Sequence, residues 1–124
     1  KNSRIYKKNI IMNPQVVTIG LGYIGLPTSA LIASKSTHVL GVDINQKVVD
    51  TVNDGKIHIV EPDLDIIVSK AVNDGFFKAS TKAVAADIFL IVVPTPFKGN
   101  HEPDISYVES ATKEILPLLK KPPV

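Results

Sequence analysis

The chain contains no cysteine. That absence excludes disulfides, thiolate metal sites and a cysteine nucleophile, so stability has to come from a packed core. Long apolar runs are also missing. Nothing approaches the roughly eighteen residues of a transmembrane helix, and the first residues lack the apolar stretch of a secretory signal. A soluble, cytoplasmic protein with no membrane partner is expected. Charge of one sign is scarce beyond the amino terminus: Lys1, Arg4, Lys7 and Lys8 carry +4 with no acid among the first twelve residues, and the formal net charge of +2 leaves the remainder at −2. The body therefore lacks the basic footprint of a nucleic-acid binder. His38, His58 and His101 match neither a metal-ligand spacing nor a Ser/His/Asp set, although His58 and His101 lie in acid-flanked loops where a substrate or interface contact stays open. Nothing in the sequence brings Glu61 and Glu102 together as acid and base, and no catalytic or metal-binding residue is assigned.

What is there suffices for one core, since 124 residues with 44% hydrophobic content accommodate one ordinary domain and not two. Residues 1–14 read as a basic, flexible leader, 15–121 as the domain and 122–124 as a tail. Met12, ahead of Asn13-Pro14, could serve as the natural start. The most informative stretch is Ile19-Gly20-Leu21-Gly22-Tyr23-Ile24-Gly25, directly behind the apolar run Val16-Val17-Thr18-Ile19. A Gly-x-Gly-x-x-Gly run at a strand-to-helix turn suits a pyrophosphate: Gly20 permits the turn, Gly22 lets the backbone approach the phosphates, and Gly25 lets helix pack on strand. The helix N–H groups and its positive dipole end then face the anion. A second strand-like run, Val39-Leu40-Gly41-Val42, ends in Asp43, about twenty residues on, where an acid binds the adenosine ribose hydroxyls. A carboxylate there, with no Arg following, implies NAD and not NADP. The competing reading is an aspartate that caps the helix beginning near Asn45.

Strand and helix patterns alternate throughout, which predicts an α/β fold of Rossmann type: a doubly wound, mainly parallel sheet in three α/β/α layers. Strands are expected near 16–20, 38–43, 76–79 and 88–93. Helices are expected at 24–35, 45–53, 62–73 and 104–119, with a short turn around 81–86. Pro62 reads as a first-turn proline, Pro103 and Asp104 as the start of the last helix, and Asn53-Asp54-Gly55 and Asn73-Asp74-Gly75 as helix stops. Ile88-Phe89-Leu90-Ile91-Val92-Val93 reads as a central strand covered on both faces. Pro94-Thr95-Pro96 breaks it at its carboxyl end, where open parallel sheets bind ligands, so Thr95 is a cofactor candidate or part of a rigid proline turn.

The opening Gly-Leu-Gly-Tyr-Ile-Gly-Leu-Pro, the run Gly41-Val42-Asp43-Ile44-Asn45 and Val93-Pro94-Thr95-Pro96 together resemble the UDP-glucose/GDP-mannose dehydrogenase family, from about Val16 to Lys121. Longer runs, Ile57 to Leu64, Pro94 to Gly99, His101 to Asp104 and Tyr107 to Ser110, are most similar to the branch acting on UDP-N-acetyl-D-mannosamine. The resemblance implies NAD as cofactor and a two-step oxidation of the sugar C6 alcohol to the uronic acid. It implies NAD contacts through the backbone of Tyr23 and Ile24, from Asp43 on the ribose and from Thr95 beyond the fourth strand, in agreement with the roles read above for Gly20, Gly22 and Gly25. It also implies a catalytic cysteine, a dimerisation helix and a nucleotide-sugar domain in later segments, with a full-length homodimer or higher assembly. The chain is thus expected to be the amino-terminal cofactor domain of a longer enzyme and inactive alone. The alternative is a non-catalytic NAD-sensing module, which needs no cysteine. Lys98 and His101, in the loop from Phe97 to Asp104, stay open.

Overall fold

The computed structural model describes residues 13–119; residues 1–12 of the expected basic leader, the expected domain end at 121 and the tail 122–124 fall outside those residues. Four strands, β1 (Val16–Ile19), β2 (Val39–Val42), β3 (Phe77–Ser80) and β4 (Ile88–Ile91), form one sheet in the order β3-β2-β1-β4, and every neighbouring pair is parallel. Val16 lies opposite Val39 and Ile88, and Ile19 opposite Val42 and Ile91. The helices are α1 (Gly25–Ala33), α2 (Gln46–Asn53), α3 (Leu64–Asn73) and α4 (Ser106–Ile115), the last followed by a 3-10 turn at Leu116–Leu118.

Alternation along the strands divides the core in two. Val16, Val39, Phe77 and Ala79 pack with Leu26, Ala30 and Ala33 of α1, Val49 and Val52 of α2, and Leu64, Val68 and Ala71 of α3. Val17, Ile19, Leu40 and Val42 meet Ala111 and Ile115 of α4, together with Ala83, Val84 and Ala86 from the connection into β4. Because both faces are covered, β1 and β2 are buried along their whole length and carry no polar alternation apart from Thr18. Small residues set how closely α1 approaches: Gly25, Ser29, Ala30 and Ala33 form its buried face, and the Ser29 hydroxyl turns back to donate to the Gly25 carbonyl at 2.7 Å.

The two edges of the sheet differ. On β3, the Asn53 side chain donates to the Ala79 carbonyl (3.0 Å) and accepts from the Ala79 N–H (2.8 Å), replacing the strand that is missing there. On β4, Ile88 is 53% exposed and Phe89 to Ile91 are half-buried. The segment expected to be a central strand covered on both faces is therefore an outer strand among the described residues, and it ends at Ile91. Its apolar run meets β1 on one side, and just ahead of it Ala86 makes an isolated parallel bridge with Leu119.

Several boundaries also shift. Pro62 lies in a turn ahead of α3, and Asp63, at φ 64°, is the residue that leads into it. The last helix begins at Ser106, after Pro103 and Asp104, and Pro117 converts its end to a 3-10 turn. Residues 81–86 form no helical turn: 81 and 82 bend, 83–85 are irregular and Ala86 makes its bridge, while the Ala83 N–H donates to Glu114 at 3.3 Å. Gly55 (φ 76°) and Gly75 (φ 83°) do end their helices in the left-handed conformation. Among the described residues no helix is long and apolar enough to cross a membrane.

Candidate functional site

The strand order places β1 and β4 side by side where the chain reverses its winding, and a parallel sheet opens a crevice at the carboxyl ends of such a pair. The glycine turn occupies that point, and its three glycines meet different surroundings. Gly20 has φ 107°, and a Cβ on it would run into the Val92 carbonyl beyond β4. A Cβ on Gly25 would strike the Gly20 carbonyl, so this glycine sets the approach of α1 to β1. Around Gly22 no atom lies within 4 Å of the corresponding position, and the residue faces open space. Two glycines are thus required by the fold, and the third keeps a volume clear.

Gly22, Tyr23 and Ile24 precede the first turn of α1, and among the described residues their N–H groups have no hydrogen-bond partner. Leu26 and Thr28 begin the helical ladder by donating to the carbonyls of Gly22 and Ile24. The Tyr23 and Ile24 side chains are 66% and 68% exposed, which leaves their backbone as the part built into the turn.

Asp43 follows β2 and reaches across to this turn. One carboxylate oxygen accepts the Leu21 N–H at 3.1 Å, and the other accepts the Asn45 N–H at 3.0 Å. The helix cap belongs to Asn45, whose side chain accepts from Lys47 N–H at 2.9 Å. Asp43 is therefore joined to the glycine turn and does not cap α2. The sequence reading missed the Leu21 amide as its partner, because nothing in spacing alone brings residues 22 positions apart into contact. It also passed over Ile44, which is 88% exposed beside Asp43.

Beyond β4, Thr95 is exposed and makes no hydrogen bond among the described residues. The chain then closes on itself as a hairpin. Phe97 pairs with Pro103, Lys98 N–H donates to the Glu102 carbonyl (2.7 Å), His101 N–H to the Lys98 carbonyl (3.0 Å) and Asp104 N–H to the Pro96 carbonyl (2.6 Å). The Asp104 carboxylate accepts the Ser106 N–H at 3.0 Å, ahead of α4. Hydrogen bonds from the Ser106 side chain and backbone hold the Asp104 carboxyl below its usual value, against an opposing desolvation and with a lesser contribution from the Lys98 charge. His58, Glu61 and Glu102 are all exposed, and among the described residues no group of acids and histidines could hold a metal ion. His38 is half-buried and stacks on Phe76 at 4.8 Å, away from the crevice at the amino end of β2.

Residues 14–124 match the model of the UDP-glucose/GDP-mannose dehydrogenase family, NAD binding domain. The UDP-N-acetyl-D-mannosamine dehydrogenase of Escherichia coli K12 is 63% identical over 106 residues, covering 86% of this chain and 25% of that protein. The NDP-N-acetyl-D-galactosaminuronic acid dehydrogenase of Ralstonia nicotianae is 56% identical over the same shares. Among solved structures, the UDP-N-acetyl-mannosamine dehydrogenase Cap5O of Staphylococcus aureus superposes with a TM-score of 0.82 at 45% identity, over 86% of this chain and 26% of that one. The chain thus spans about a quarter of the length of the relatives it matches. With its parallel β3-β2-β1-β4 sheet and glycine turn, the chain belongs to the UDP-glucose/GDP-mannose dehydrogenase family, as its NAD-binding domain.

Proposed function

We propose that NAD lies with its pyrophosphate on the glycine turn and its adenosine ribose on Asp43. The observation that carries this reading is the clear volume over Gly22 beside the N–H groups of Gly22, Tyr23 and Ile24, at the positive end of α1. Gly20 and Gly25 give the turn its shape, and Tyr23 and Ile24 serve through their backbone. The donor set fits the cofactor. An ionised carboxylate has about four acceptor positions, so Asp43 keeps capacity for two ribose hydroxyls after accepting two backbone N–H groups. Its charge opposes a 2′-phosphate, which favours NAD over NADP. Ile44 offers apolar surface to the base, and Thr95 a hydroxyl beyond β4. When bound, NAD supplies a hydride acceptor.

The longer protein to which such a domain belongs would oxidise the C6 alcohol of UDP-N-acetyl-D-mannosamine to the uronic acid in two NAD-dependent steps. It would do so in the cytoplasm, as a homodimer or larger assembly. Any thiolate nucleophile for that chemistry has to come from outside this cysteine-free chain, which alone would bind NAD and oxidise nothing. The test is a titration of NAD into the 15N-labelled chain. Joint movement of the Gly22, Tyr23, Ile24 and Asp43 amide signals is expected; movement elsewhere only, or none at millimolar NAD, removes the assignment.

A further inference from the structure

Gly41 stands outside the glycine turn, yet it is the residue against which that turn is seated. It lies inside β2, in register with Thr18 of β1 and Ala79 of β3, where a residue without a side chain forgoes packing and marks a place that another group approaches closely. That group is Leu21. A Cβ on Gly41 would lie 2.6 Å from Leu21 Cδ2, 3.0 Å from Leu21 Cδ1 and 3.1 Å from Phe77 Cε1. Both branches of the leucine between the first two glycines of the turn therefore fill the gap that Gly41 leaves in the sheet.

Leu21 is fully buried and joins the core cluster with Leu26, Val39 and Phe77. On a surface, a leucine tip would swing aside from an added methyl group. Here both branches face it, Phe77 is itself buried, and a packed core leaves few other rotamers, so relief has to come from moving Leu21 as a whole. Its backbone carries the second link. The Leu21 N–H donates to one Asp43 oxygen at 3.1 Å, and the Asn45 N–H donates to the other at 3.0 Å. Asn45 moves with Asp43 in the same loop, whereas the Leu21 bond ties the carboxylate to the turn. Alternation along an extended chain sets residues 41 and 43 on one face of the sheet. Both grip the same leucine: Gly41 receives its side chain, and Asp43 holds its amide.

Resting on the assignment of the adenosine ribose to Asp43 above, we propose that Gly41 is a positioning residue of the cofactor site: by admitting the Leu21 side chain into the sheet it fixes the amide that orients the Asp43 carboxylate, and so sets the preference for NAD over NADP. Gly41 itself touches no cofactor. The test is calorimetric titration of both nucleotides into the 124-residue chain, Gly41→Ala, Leu21→Val and the double variant, which trades one carbon for another and conserves volume. Gly41→Ala should lower NAD affinity roughly fivefold or more and narrow the gap to NADP. Its Leu21 amide should exchange faster with solvent while the Val17 amide of β1 keeps its rate, which a loss of global stability would not produce. Placed on Leu21→Val, which lacks the δ carbons, or on Asp43→Asn, the same substitution should leave NAD affinity unchanged within about twofold. A loss that persists in either background overturns the proposal, as does a Gly41→Ala variant that binds both nucleotides like the parent. Should Gly41→Ala not fold by itself, the Leu21→Val background decides, because the clash is absent there. Failure of the cofactor assignment registers separately, as a parent chain without preference for NAD in which Leu21 amide exchange still responds to Gly41→Ala.

Discussion

The two walls of the crevice above β1 are held by different forces. One wall, the glycine turn with Asp43, is tied to the body: Gly20 and Gly25 sit in backbone contact with their neighbours, and the Asp43 carboxylate links β2 to the Leu21 amide. The other wall, from Pro94 to Asp104, is tied almost entirely to itself. In the proposed cofactor assignment, the surface that meets the dinucleotide is part of the sheet's own packing, whereas the segment beyond β4 is a self-closed loop.

The largest expected effect lies in the first wall. Gly25→Ala forces a methyl group against the Gly20 carbonyl, and because both atoms belong to or border the backbone, neither can move aside cheaply. We expect a loss of about 3 kcal/mol, at the upper end of overpacking costs, and a melting temperature lower by more than ~10 °C. An unchanged melting temperature would break the claim that this wall is part of the core. Asp43→Asn comes next. It replaces a charged acceptor of two backbone N–H groups by a neutral one with a single acceptor oxygen, so about 1 kcal/mol of stability should be lost in denaturant titrations.

Gly22→Ala sharpens the comparison within the turn itself. The methyl group meets nothing in the protein, so the melting temperature should stay equal or rise slightly, whereas NAD affinity should fall at least tenfold, about 1.4 kcal/mol. A smaller stability effect is expected in the second wall: Phe97→Ala removes an exposed ring and should change stability by less than about 0.5 kcal/mol. Smallest is a pH effect. The folded state lowers the Asp104 pKa, so this carboxylate adds stability that is present above its ordinary value of 3.8 and is lost as pH falls through the lower folded value. Thermal melts of Asp104→Asn should therefore show a shallower decline below pH 4 than the parent chain.

Much of the first wall was legible in the chain. Val16 to Ile19 and Val39 to Val42 are apolar without alternation, and Gly20, Gly22 and Gly25 follow at the spacing of a strand-to-helix turn, so local chemistry and final structure agree. Contacts that depend on distant partners were not legible. Asn53 reads as a helix stop, and only the folded sheet puts its amide on the free edge of Ala79. Ile88 to Ile91 is apolar enough for a central strand, yet composition does not say which strands lie beside it. The hairpin beyond Pro96 left a signal in Gly99-Asn100, a turn pair, but its register rests on backbone pairing that side chains do not announce. Pro117 was a visible breaker inside the last expected helix, and its effect is a local tightening and not a displaced element.

The central claim is that Asp43 and the glycine turn form one NAD site, and calorimetric titration of NAD and NADP into the parent chain and Asp43→Asn tests it most directly. The account predicts that the parent chain prefers NAD, and that Asp43→Asn loses at least tenfold in NAD affinity while the gap between the two nucleotides narrows. Equal affinity for both nucleotides in the parent chain, or an Asp43→Asn variant that binds NAD as tightly as the parent, would contradict it.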